Sequence, residues 1–432
     1  MKNFSLFRLI CLSLFIGFLA GCSPQNVLIY EDQGENIGPC EPSIFINPAR
    51  PDNIVAGSVL DFYHVSEDGG QNWATQRLTS ETHGVYGDPV ISADQQGNVY
   101  YLHLADPDKM GWSSSRLLES IIIQRSEDGG KSWNDGAAIG TNPPKDQDKE
   151  WISIHPQTND LFVTWTEFDR YGDPSPNCHS RILFSKSSDR GDNWSDPIVL
   201  SELEGNCIDD DKTTEGAVPC VGPNQEVYVA WAYDEKIFFD KSTDGGKSWM
   251  SSDKVIAQQA GGWTMDISGI GRCNGMPITG TDLSQGKHRG QLYVCWADTR
   301  NGEDNADIFL IRSADGGENW SAPVRVNQDK TQSQQFFPWM SVDPVSGHIY
   351  IVFYDRSRHD DNQTDVVLAV SKNGGKSFKQ KTISQKPFTP PGAGVFFGDY
   401  NNISAYDGKV RPIWTHYENG KLSIWTALIG KK

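Results

Sequence analysis

Short runs rich in Val, Ile, Tyr and Trp recur down the chain, among them 161–165, 227–231, 292–296, 349–354 and 410–414. Their length and β-branched, aromatic character predict strands. Another short apolar run comes before such strands, and seven such runs have a polar or acidic lead or a Pro beside their first residues: Cys40-Glu41-Pro42-Ser43-Ile44, Gly87-Asp88-Pro89-Val90-Ile91, Lys149-Glu150-Trp151-Ile152-Ser153, Thr214-Glu215-Gly216-Ala217-Val218, Asn274-Gly275-Met276-Pro277-Ile278, Phe337-Pro338-Trp339-Met340-Ser341 and Gly398-Asp399-Tyr400-Asn401-Asn402. The chain is expected to repeat one antiparallel strand unit.

Turns between strands carry a second repeat. SEDGGQNW at 66–73 returns as SEDGGKSW at 126–133, SSDRGDNW at 187–194, STDGGKSW at 242–249 and SADGGENW at 313–320. A sixth copy, SKNGGKSF at 371–378, has Asn373 for Asp and Phe378 for Trp. In the octapeptide an aspartate can accept from the turn's own N–H groups, paired glycines supply positive φ, and a tryptophan can plug the gap between neighbouring hairpins. The copies lie roughly 55–70 residues apart, the scale of one propeller blade. The octapeptide resembles the Asp-box of the sialidase/BNR superfamily. In that family the box is structural and lies on the face opposite the active site.

The expected fold is therefore all-β, a β-propeller of four-stranded antiparallel blades with Asp-box hairpins. Seven strand leads against six boxes favour seven blades, with six the alternative. After the seventh lead only two further strands remain, so residues 27–30 are expected to supply the missing outer strand and close the ring.

Composition sets the compartment. Lys2 and Arg8 flank an apolar stretch, residues 9–19, too short to span a bilayer and typical of an export signal. It ends in Leu19-Ala20-Gly21-Cys22, which resembles the bacterial lipoprotein box and implies acylation of Cys22. The domains read as signal peptide 1–21, lipidated tether 22–26 and propeller 27–432. The protein is expected in the bacterial cell envelope, anchored to the outer membrane by lipid alone, on its periplasmic or its surface side. The net charge of −18 becomes −20 when Lys2 and Arg8 leave with the signal, which disfavours nucleic acid and anionic lipid as partners. Six further cysteines permit disulfides, and Cys178–Cys207 is the favoured pair because both fall in loops expected on one face.

Candidate chemistry gathers where the inner strands begin. Glu41, Asp88, Glu150, Glu215 and Asp399 are expected to ring one mouth of the central channel, where crowding would raise carboxyl pKa values and suit acid/base work. They could equally hold a cation or bond to backbone of the adjacent blade. Loops expected on that face present Arg170, Arg300, Arg356 and Arg358, which suit a carboxylate or sulfate; alternatively they neutralise neighbouring aspartates. Trp112, Trp151 and Trp339 are candidate sugar platforms or inter-blade packing. Asp209-Asp210-Asp211 is a calcium candidate without the alternating ligands of an EF-hand loop; otherwise no cofactor is expected.

The superfamily resemblance implies a tyrosine nucleophile paired with a glutamate, an aspartate acid/base and three carboxylate-binding arginines. Glu215 and Tyr400 are similar in setting to that glutamate and tyrosine, and Asp399 and Asp88 complete the catalytic candidates. The usual Phe-Arg-Ile-Pro source of the first arginine is absent, and Trp231-Ala232 stands where a sialidase offers another. The expected function is glycan binding or cleavage, by a glycoside hydrolase or lyase acting on acidic glycans as a monomer. The alternative is a non-catalytic assembly module.

Overall fold

The computed structural model describes residues 24–35 and 37–431. The expected export signal and Cys22 lie outside the described residues. Seven four-stranded antiparallel sheets form a closed ring. The inner strands are Ser43–Ile46, Val90–Ala93, Asp146–Ile154, Glu215–Val221, Ile278–Thr281, Gln335–Val342 and Asn402–Tyr406, in blades 1 to 7. Neighbouring inner strands touch around the whole circle, the last returning to the first.

Blade 7 is built from both chain ends. Gln25–Glu31 pairs antiparallel with Lys421–Gly430, outside Lys409–Glu418 and Asn402–Tyr406. This is the closure expected from residues 27–30, and it covers the edge that the C-terminal strands would otherwise expose.

The boxes are self-contained turns. In blade 2, Asp128 Oδ1 accepts from the N–H groups of Lys131 and Ser132, each at 2.9 Å, and Ser126 Oγ accepts from Gly130 N–H at 2.8 Å. Gly129 and Gly130 take φ of +82° and +91°, which favour glycine. Burial pushes the Asp128 carboxyl up, but the Ser132 hydroxyl and the turn N–H groups outweigh it and leave the pKa at about 2. In the degenerate copy Asn373 Oδ1 accepts the same two N–H bonds and Phe378 is buried. Trp133 packs edge-on between Tyr63 of blade 1 and Tyr101 of its own blade, the expected plug.

One inter-blade device was not anticipated. The residue just before the box serine donates to a box carbonyl of the next blade: Arg125 to Arg190 at 2.7 Å, Lys186 to Gly245 at 2.9 Å, Lys241 to Gly316 at 2.8 Å and Arg312 to Gly375 at 3.3 Å. Arg411 of blade 7 reaches Gly69 at 2.7 Å. Blade 1 has Val65 in that position, and Asn53 donates to Gly129 instead, at 3.0 Å. Blade 6 has Val370 there, facing a blade with no box. Asn53 lies in the turn leaving an inner strand, so that turn shares the box face and the inner strands begin on the opposite face.

Candidate functional site: the mouth opposite the boxes

The chain bends sharply where the inner strands start. Glu41, Asp88, Lys149 and Phe337 all take left-handed backbone conformations, with φ between 48° and 55°, while Gly216 and Gly398 do so at +75° and +93°. Pairing with the second strand breaks register between Asp148 and Trp151, Glu215 and Val218, and Phe336 and Trp339. Such bulges re-aim side chains, and strained non-glycine conformations concentrate at functional sites.

The bulges correct the sequence alignment of the strand leads. Lys149, not Glu150, shares the conformation of Glu41 and Asp88. Lys149 Nζ meets Asp399 Oδ2 at 2.7 Å and Asp88 Oδ2 at 3.3 Å, with all three groups buried. Arg272 binds Asp399 through Nε at 2.8 Å and through its second terminal nitrogen, and reaches Asp209 Oδ2 at 2.8 Å. Tyr171 donates to Asp209 Oδ2 at 3.1 Å and lies 3.4 Å from Arg272. Trp263 Nε1 donates to Asp209 Oδ1 at 2.7 Å, and Glu41 accepts from the Asp399 N–H at 3.1 Å. The mouth therefore joins residues from blades 1, 2, 3 and 7 with the loops entering blades 4 and 5.

Protonation divides the carboxyls into two sets. Burial alone would raise Asp399, but Arg272 and then Lys149 reverse it and hold the group well below the ordinary range. Asp209 is likewise lowered, burial being overcome chiefly by Arg272. Glu41, Glu150 and Glu215 are pushed well above the usual range, in each case first by burial and then by a neighbouring aspartate. Ionised, Glu215 has no hydrogen-bond donor among the described residues; protonated, it donates to Asp209. Neither oxygen of Glu150 has a partner among them, which makes its ionised form the costlier one to bury. Asp148 is raised to about 7, burial again leading, tempered by Lys149 and reinforced by Asp88 and Asp209.

Other sequence candidates do not join this cluster. Tyr400 is buried with its hydroxyl 3.5 Å from the Pro89 carbonyl. Its ring packs on Trp151 and Trp339, at 5.1 and 6.0 Å between centroids, and the two indoles are 4.2 Å apart. These aromatics are not surface sugar platforms: Trp151 and Trp339 close the inner end of a cavity of about 270 Å³ lined by the inner strands, including Ile44, Val218 and Ile403. None of the mouth carboxylates lines that cavity.

The four loop arginines do not converge. Arg170 pairs with Asp146 at 3.3 Å, and Arg300 grips Asp298 and lies over Phe309. Arg356 is buried on Gln334 and Thr364, and Arg358 bonds to Thr382 with Asp365 nearby. Arg170, Arg300 and Arg358 sit beside aspartates, the alternative the sequence left open, whereas Arg356 meets no carboxylate among the described residues. The aspartate run also disperses: Asp209 faces Arg272, Asp210 accepts from Asn206 and Lys212, and Asp211 accepts from Thr264 N–H. Among the described residues no group of three or more His, Cys, Asp and Glu is placed to hold a metal ion. Cys178 and Cys207 form the expected disulfide beside Tyr171, with Cα atoms 5.8 Å apart, while Cys40, Cys220, Cys273 and Cys295 are buried thiols.

Sequence reasoning missed Lys149 and Arg272 as members of the site. Lys149 was visible as a cation in a series of acidic leads. Arg272 lies in the long stretch between Lys254–Gln258 and Ile278–Thr281, where no repeat marks it.

Similar architectures occur in solved structures. An ulvan lyase of polysaccharide lyase family 25, bound to -[GlcA(1-4)Rha3S]-, superposes with a TM-score of 0.56 at 12% identity, over 94% of this chain and 96% of that one. The NanB sialidase of Streptococcus pneumoniae gives 0.52 at 10% identity, over 87% and 83%. A leech intramolecular trans-sialidase gives 0.51 at 12% identity, over 81% and 68%. No protein-family model matches the chain, and no curated protein matches it. The shared property is the fold, a β-propeller of antiparallel blades.

Proposed function

We propose that the protein is a lipid-anchored glycan-active propeller of the cell envelope, working at the mouth opposite the boxes. The observation that carries this reading is the meeting of Tyr171, Asp209 and Arg272 beside a partly protonated Asp148. A phenol, an acid titrating near neutrality and a guanidinium are the parts a glycosidic cleavage needs, by hydrolysis or by elimination. Tyr171 takes the role first expected of Tyr400; Glu215 supports Asp209 from below, and Asp399 and Asp88 hold the cations. Arg272, with 38% of its side chain exposed, is the group that would meet an anionic sugar. The architectural likeness to sialidases and to a lyase with a uronate-containing ligand supports a glycan, by analogy of fold.

The test is a turnover screen of the mature protein on sialyllactose and on ulvan, with Tyr171→Phe and Arg272→Lys as controls. Cleavage reduced at least a hundredfold by Tyr171→Phe is expected; undiminished cleavage in both variants removes the assignment. A second reading, glycan binding without turnover, is favoured by one observation: Arg272 and Lys149 are already satisfied by Asp399, Asp209 and Asp88. Binding of wild-type protein to ulvan with no detectable products would select it.

A further inference from the structure

An exposed aromatic held rigidly beside polar groups can bury its face against a ligand at little entropic cost. Trp112 is 67% exposed and Phe396 is 42% exposed, and both stand at the mouth. Trp112 is not loose. Its short helical turn, Gly111–Ser113, is pinned by Asp106, which accepts from the N–H groups of Met110 at 3.2 Å and Gly111 at 2.9 Å. Gly111, at φ +53°, lies so near Tyr86 that an added Cβ would meet that ring at 3.1 Å. The indole is held edge-on to Tyr86 at 6.2 Å and tilted over Tyr171 at 5.9 Å. Phe396 lies 5.7 Å from the Arg272 guanidinium, and its loop is tied to the Arg272 loop by a bond from Gly392 N–H to the Gly269 carbonyl at 3.0 Å.

Contacts thus run continuously from Trp112 through Tyr171 and Arg272 to Phe396. Two apolar faces are separated by a phenol, a carboxylate and a guanidinium. Sugar rings have the matching pattern, apolar C–H faces alternating with hydroxyl or carboxylate edges, and a rigidly presented indole binds with little entropy loss.

We propose that this strip receives several consecutive sugars of a glycan chain, one ring stacked on Trp112 and another on Phe396, with Arg272 and Tyr171 between them. The inference rests on the glycan reading above and adds that the protein recognises a chain interior in preference to a single terminal sugar.

The test measures binding of the mature protein to oligomers of -[GlcA(1-4)Rha3S]- two, four and six sugars long, and to sialyllactose, by calorimetry. The expected result is that affinity rises at least tenfold from two sugars to six. Trp112→Ala and Phe396→Ala should each lose about tenfold on the hexamer, as aromatic anchors do, while leaving the dimer within twofold. Trp112→Phe should recover most of the loss, and near-ultraviolet circular dichroism separates misfolding from lost contact. Wild-type binding that is the same for dimer and hexamer, tighter for sialyllactose than for the hexamer, or unchanged in both alanine variants overturns the strip while leaving a glycan site. Binding of no oligomer and no sialoside overturns both readings together.

Discussion

The two faces of the ring use carboxylates in opposite ways. On the box face Asp128 finds its partners three and four residues away, so each turn satisfies itself and repeats with little change. At the mouth Asp399 finds Lys149 and Arg272, 250 and 127 residues away in sequence, and these cations keep it ionised while burial keeps Glu41, Glu150 and Glu215 neutral. Local satisfaction marks scaffold. A cluster of buried charges satisfied across several blades marks a place where the assembled ring makes something no single repeat contains.

The largest effect that would sharpen this contrast is removal of Asp399. Asp399→Ala leaves buried Lys149 short of its closest counter-charge, and breaking a buried pair from one side typically costs about 3–5 kcal/mol. Urea unfolding should show that loss; a change below about 1 kcal/mol would mean the mouth is as locally self-sufficient as a box. Next comes the staple on the same face. Replacing Cys178 and Cys207 by serine reopens a loop spanning 29 residues of sequence and should cost about 3 kcal/mol, with the two faces of the ring told apart by faster proteolysis near Tyr171 than near the boxes.

Asp148 offers a pH test. Its folded pKa of about 7 lies above the ordinary carboxylate value, so the folded state binds its proton more tightly. The stability this provides is full below about pH 4 and is lost as pH rises through 7. Asp399 works in the reverse sense, its contribution being lost only as pH falls below the ordinary carboxylate range. Between pH 5 and 8 wild type should lose roughly 2 kcal/mol more than Asp148→Asn, read as a difference in urea midpoints. An identical pH slope would remove Asp148 from the acid/base role. The smallest effect belongs to the box face: Asp128→Ala forfeits a local cap and should cost about 1 kcal/mol, leaving any glycan binding unchanged.

The same contrast explains what could be read from the chain. Boxes were legible because their physics is local: Asp, two glycines and an aromatic within eight residues specify the turn wherever it occurs. Counting strand leads against boxes was enough to find seven blades and the borrowed N-terminal strand. The mouth was legible only in part. Its carboxylates were found, but the alignment slipped by one at Glu150, because a left-handed bulge at Lys149 consumes a residue that strict alternation does not count. Arg272 has no periodic neighbour, and the arginines that drew attention instead are engaged in their own loops, as Arg300 is with Asp298 two residues earlier. The basic residue before the box was present in four copies, yet its purpose appears only when the next blade is in place.

The borrowed strand also fixes how the ring would stand on a membrane. Gln25 pairs with Leu428, and Lys421–Gly430 ends beside Lys409, whose amine bonds to the Pro51 carbonyl near the box of blade 1. The N-terminal strand thus rises from the box side. If Cys22 carries lipid as proposed, the three residues from it to Gln25 reach at most about 10 Å. Boxes would then face the bilayer and the mouth would point away from it, toward whatever polymer drifts past. A fluorophore on Trp112→Cys beyond reach of a bilayer quencher, with one on Asn72→Cys within reach, is the expected signature of that posture.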